Sequence, residues 1–85
     1  MPTMDDFRRE LKGQIERAQN AGRPHVEINS GELHRKVGGY PNPDHRMPMC
    51  CKAMREFQGS QDVIISEPEQ GEGANLTVRY ALPRS

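Results

Sequence analysis

Tryptophan is absent from this sequence, and two tyrosines and two phenylalanines are its only aromatic residues besides histidine. A core built from it must be largely aliphatic. Net charge of either sign is also missing: twelve Lys+Arg balance twelve Asp+Glu. That excludes a strongly basic chromatin-type protein. No apolar run approaches the roughly 18 residues that a membrane helix needs. Nor does a charged start lead into an apolar stretch, so no secretory signal is read at the N-terminus. Cysteine is scarce, and the only two, Cys50 and Cys51, are adjacent. A disulfide wants its Cα atoms about 5.5 Å apart, so neighbours in sequence do not bridge. A reduced, cytoplasmic setting follows as the expectation.

The chain has 85 residues, of which 33% are hydrophobic. That length supports one domain, with a core expected over about residues 3–83. A chain this short buries only roughly 60–65% of the surface it exposes when unfolded. Its patterning must therefore be read closely.

Thr3-x-x-Asp6 has the spacing of a capping box, with two acids in the first turn where the helix dipole favours them. Phe7, Leu11, Ile15 and Ala18 then form one apolar stripe, predicting a helix over about 3–21. Gly22 and Pro24 end it. His25-Val26-Glu27-Ile28 alternates and reads as a short strand. Asn29-x-x-Glu32 resembles a second capping box, opening a short helix over 30–37 that Gly38-Gly39 stops.

Tyr40 to Pro43 is turn material. A third helix lies between Asp44 and Phe57, starting either from Asp44 as N-cap or at Pro48 as first helical residue. Its apolar stripe is Met47, Cys50, Cys51, Met54 and Phe57, with Lys52, Arg55 and Glu56 facing away. One of the two cysteines is expected to face the core as a small hydrophobe. Asp62–Ser66 and Leu76–Leu82 are strands, and in the second Leu76, Val78, Tyr80 and Leu82 share a face. The Gly-containing stretch between them makes an antiparallel hairpin.

Charge is uneven along this order. Residues 33–55 carry Arg35, Lys36, Arg46, Lys52 and Arg55 against Asp44 alone. His34 and His45 would add to this below neutral pH. Residues 62–73 carry Asp62, Glu67, Glu69 and Glu72 and no base. The helical middle is basic and the hairpin acidic.

Other chemistries find little footing. His25, His34, His45, Cys50 and Cys51 contain zinc-binding atoms, but structural zinc sites use Cys-x₂₋₄-Cys pairs, and adjacent helical cysteines point about 100° apart. His45 and Cys50 are five apart, which does not bring them onto one helix face as a nucleophile and its base. Gly38-Gly39 is followed by Tyr40 and prolines, not by the Lys-Ser/Thr of a phosphate loop. No enzyme and no cofactor are implied. Met47, Met49, Met54, Tyr40 and Tyr80 are expected to pack, not to bind.

Helix, short strand, two helices and a C-terminal hairpin: this α+β order, with these lengths, resembles the winged helix-turn-helix fold over nearly the whole chain. The connection beginning at Gly38 is longer and richer in Pro and Gly than the tight turn of that family. The stretch from Gly31 through Tyr40, continued by His45-Arg-Met-Pro-Met-Cys-Cys51, also resembles a block in small uncharacterised bacterial proteins.

The winged-helix likeness implies a role in binding double-stranded DNA, as a small regulator of transcription or an accessory subunit of a DNA-processing system. Its third helix would enter the major groove, with Arg46, Lys52 and Arg55 as the reaching side chains and His45 and Asn42 at the entrance. Arg35 and Lys36 would hold phosphates. Tight specific binding by so small a domain would favour a homodimer on a two-fold site. The alternative is a protein-interaction module on the same scaffold, with Glu67, Glu69 and Glu72 of the acidic hairpin facing a basic partner. Charge placement separates the two: one continuous basic face favours DNA, and acids interrupting that face favour a protein.

Overall fold

Thr3 caps the first helix as its spacing predicts. Its hydroxyl accepts the Asp6 backbone N–H at 3.3 Å, and the Asp6 carboxylate accepts the Thr3 N–H at 2.9 Å. In this computed structural model, which describes residues 3–38, 46–67 and 73–83, helix α1 then runs over Met4–Asn20. Phe7, Leu11, Ile15 and Ala18 are its buried stripe. The helix ends on Gly22 at φ +78°, a left-handed conformation that glycine adopts without a Cβ penalty. The Arg23 N–H reaches back to Ala18 O at 3.1 Å and the Gly22 N–H to Gln19 O at 3.0 Å. This pair of bonds is a Schellman closure, which satisfies two carbonyls that the helix itself cannot.

Strand β1 (His25–Asn29) leads straight into helix α2 (Ser30–Val37). Asn29 Oδ1 accepts the Glu32 N–H at 3.1 Å. The reciprocal half of the expected box does not form, because the Glu32 carboxylate turns to Arg35 at 3.2 Å. The other N-terminal donors of α2 are met from across the chain. Ser30 N–H donates to Leu76 O at 2.7 Å and Gly31 N–H to Ala74 O at 3.2 Å. The Ser30 hydroxyl donates to Gly73 O at 2.6 Å. A Cβ on Gly31 would sit 3.1 Å from Ala74 O, so the close approach needs a glycine.

Helix α3 spans Met47–Phe57, the later of the two starts the sequence allowed, with Pro48 in its first turn. Proline is tolerated there because that N–H has no partner within the helix. Asp44, the other candidate cap, lies outside the described residues, as do Tyr40, Asn42 and His45. Arg46 occupies the N-cap position without a side-chain capping bond. Its backbone N–H donates instead to Nε2 of His34 at 2.9 Å.

Strands β2 (Val63–Ser66) and β3 (Thr77–Ala81) complete an antiparallel sheet of order β1-β3-β2. Ile28, Val78 and Ile64 align across its inner face, while Glu27, Arg79 and Val63 align across the outer one. The register slips between Ile64 and Ser66, a bulge that sets an extra β2 residue against β3. Asp62 pins the turn before β2, its carboxylate accepting Gly59 N–H and Ala81 N–H, each at 2.7 Å.

The inner face of the sheet meets the three helices in one core. Phe7, Leu11, Leu33, Cys50, Ala53, Met54, Leu76, Val78 and Tyr80 are all fully buried there. Tyr80 donates its hydroxyl to Met54 O at 2.7 Å, tying the central strand to α3. Both cysteines are buried, not one as the helical spacing predicts. Cys50 faces α2, where its thiol donates to Ser30 O at 3.3 Å, and Cys51 donates to Gly73 O at 3.4 Å. Gly73 thus meets the flank of α3 that carries Cys51.

Candidate nucleic-acid interface

The exposed side of α3 follows from what its buried side consumes. Met47, Cys50, Cys51, Ala53 and Met54 turn inward, leaving Pro48, Lys52 and Glu56 exposed and Arg55 half-buried. Pro48, Lys52 and Arg55 lie four and three residues apart, so they form one outward row. On α2, Arg35 and Lys36 are exposed. Arg46 sits half-buried at the entry to α3, its backbone held by His34.

Histidine 34 is not part of this surface. It is fully buried, and its ring packs edge-on against Phe7 with centroids 4.9 Å apart. The expected contribution of its charge to a basic face is therefore withdrawn. The sequence carried a signal for this. His34 is four residues after buried Ser30 and adjacent to Leu33, within the apolar side of a short helix. His45, Glu69 and Glu72 lie outside the described residues.

Acids approach the basic row at several points. Glu32 pairs with Arg35 at 3.2 Å, and Glu67 at the end of β2 pairs with Arg55 at 3.3 Å. Glu56 lies on α3 itself, but Arg8 of α1 grips it with two nitrogens, at 3.1 and 3.2 Å. That grip holds the Glu56 carboxyl below its ordinary value, chiefly through the hydrogen bonds from Arg8. Arg8 also pairs with Asp5 at 3.0 Å, so it offsets the Glu56 charge only in part. No carboxylate among the described residues lies within ion-pair distance of Lys52.

Beside this row is an open cleft of about 380 Å³, lined among the described residues by Cys51, Lys52, Arg55 and Glu56. Lys52 and Arg55 are the cations of this lining and Glu56 its acid. The neighbouring Cys50 thiol is pushed up to about 12, first by burial and then by Cys51, so it is no nucleophile near neutral pH. Among the described residues, no three His, Cys, Asp or Glu side chains come together as a metal site. No helix among them is long and apolar enough to cross a membrane.

Sequence reading missed the pairs Arg8–Glu56 and Arg55–Glu67. Their partners stand 48 and 12 residues apart, and only the packing of α1 against α3 and the return of the chain at the end of β2 join them. Comparison with known proteins adds no assignment: no family model, curated protein or solved structure matches this chain significantly.

Proposed function

We propose that this chain is a winged helix-turn-helix module that binds double-stranded DNA, with α3 in the major groove and the β2–β3 hairpin as its wing. It would serve in the cytoplasm as a small regulator or as an accessory subunit of a DNA-processing system. The observation that carries the reading is architectural. A three-helix core is backed by a sheet of order β1-β3-β2, and α3 turns its polar side outward with Lys52 and Arg55 on it. That order is what the winged-helix likeness requires, and it supports the finer fold assignment.

Roles follow from position. Base contacts come from the N-terminal part of a recognition helix, which favours Arg46 and Lys52. An Arg reading guanine through two parallel hydrogen bonds is the commonest specific contact. Arg35 and Lys36 on α2 would hold phosphates and fix the register.

Fluorescence-anisotropy titration of a mixed-sequence duplex at 50 and 200 mM salt tests this. If all five bases (Arg35, Lys36, Arg46, Lys52 and Arg55) neutralise phosphates, affinity falls about 500-fold between the two salts. In the triple variant Arg46→Ala/Lys52→Ala/Arg55→Ala that dependence shrinks to about tenfold. A duplex that goes unbound at 50 mM salt refutes the proposal.

The ion pairs Arg35–Glu32 and Arg55–Glu67 favour a second reading, a protein-interaction module on the same scaffold. Acids do interrupt the basic row. Exposed pairs of this kind, however, contribute only about 0–1 kcal/mol each and yield readily to a phosphate. Failure of DNA binding, with capture of a basic partner by the hairpin, would move the function to that reading.

A further inference from the structure

We propose that Glu67 is a carboxylate latch on Arg55, and that the cleft beside α3 takes a backbone phosphate of DNA once that latch opens. The inference rests on the DNA-binding reading and assigns it a site and a built-in competitor.

Arg55 stands in the last turn of α3, eight residues beyond Met47. At 1.5 Å per residue it is about 12 Å along the helix axis from the end that would meet base edges. Its natural ligand there is a phosphate on the flank of the groove, not a base. The cleft supplies room, about 380 Å³, and a second cation, Lys52, three residues before Arg55 on the same face. The one acid of the lining, Glu56, is drawn toward Arg8, which it shares with Asp5.

Among the described residues, Glu67 pairs with Arg55 in the free protein, at 3.3 Å from Nη2 to Oε1. The Glu67 side chain is 55% exposed, so it has open solvent to swing into. It is also the first residue past β2, beyond the bulge and at the start of the acidic hairpin loop. A carboxylate and a phosphate oxygen present the same acceptor to a guanidinium. Glu67 therefore competes with a phosphate in the cleft for the Arg55 guanidinium. The latch lowers affinity for every duplex alike, because phosphates carry no sequence. Binding is then left to depend more heavily on contacts at the N-terminal end of α3.

A double-mutant cycle tests this by anisotropy on the full chain at about 150 mM salt, with a mixed-sequence duplex as probe. Glu67→Gln should tighten binding about two- to fivefold, the scale of one exposed ion pair. Glu16→Gln makes the same change in net charge on the exposed side of α1, about 12 Å along that helix from Arg8. It should leave affinity unchanged, since salt screens charges over about 8 Å. In an Arg55→Ala background the gain from Glu67→Gln should vanish.

Equal gains from Glu67→Gln and Glu16→Gln would overturn the latch and leave DNA binding standing. So would a gain that survives in Arg55→Ala, or a loss of affinity in Glu67→Gln. Absence of binding by every variant at 50 mM salt would overturn both the latch and the DNA reading. These side chains are solvent-accessible, and a thermal melt of each variant confirms that it folds.

Discussion

Removing a single oxygen from Tyr80 should cost this protein a large part of its stability. The Tyr80 hydroxyl donates to Met54 O at 2.7 Å in the fully buried core. Met54 is among the last four residues of α3, whose carbonyls lack the usual partner four residues on. The Gln58 N–H, which would serve Met54 O in a longer helix, donates to Arg55 O at 3.2 Å instead. Tyr80→Phe keeps the ring and its packing but strands that carbonyl away from water. A buried acceptor left unsatisfied costs about 1–3 kcal/mol. For a domain of 60–100 residues, each kcal/mol moves Tm by about 4–8 °C. The variant should therefore melt about 8–16 °C below wild type for a central cost of about 2 kcal/mol. Far-UV circular dichroism on heating, with a urea titration at 25 °C, measures both quantities. A Tm within 2 °C of wild type, at an unchanged urea slope, would refute the claim that this hydroxyl closes the end of α3.

Two further predictions use the titrating groups. The Asp6 carboxyl is held below its ordinary value by Thr3, first through the backbone N–H it accepts, so the folded state favours its ionised form. The stability it contributes is present above the unfolded carboxylate value of about 4 and lost as pH falls through the lower folded value. Urea midpoints of wild type and Asp6→Asn should therefore converge between about pH 5 and pH 2, and a constant gap would argue against the capping box. The Cys50 thiol, pushed up to about 12, should resist iodoacetamide at pH 8 in the native protein and react promptly in 6 M guanidinium. Equal rates of Cys50 alkylation in the two states, read by mass spectrometry, would contradict its burial.

Much of this fold was legible because local chemistry and tertiary packing agree. Thr3 and Asn29 cap helices at the positions their spacing predicts, and Gly22 ends α1. Leu76, Val78 and Tyr80 alternate into the core as period two requires. The errors occur where a residue's fate depends on a distant segment. Cys51 lies on the predicted stripe of α3, but the partner of its thiol, Gly73 O, comes from a distant segment that no helical pattern encodes. His34 looked like a surface base by composition, yet its ring fills the core and receives the Arg46 N–H. The Glu32 side chain abandons its predicted cap for Arg35, since both are exposed on α2 and three residues apart. Basic residues could be counted from the sequence, but their pairing could not. Arg8 and Glu56 meet only because α1 crosses α3.

That pairing bears on how a chain with no net charge could act on a polyanion, as the proposed function requires. Summed over the molecule, its field is weak, so long-range steering toward DNA would be weak as well. What matters is where each acid is matched. Glu10 is matched by Arg17 on α1, Glu27 by Arg79 on the outer sheet face, and Glu56 by Arg8 across the α1–α3 contact. These three pairs do not draw on the bases of α2 and α3. On those two helices the matching acids are Glu32 and Glu67, which are both exposed and so are displaced at small cost. Lys52 has no ion-paired carboxylate to displace among the described residues. The basic character of the α2–α3 surface is thus local, and it is partly masked until a ligand competes for it. A surface built this way acts at contact distance, where geometry discriminates between partners, and only weakly at the longer range where charge alone attracts.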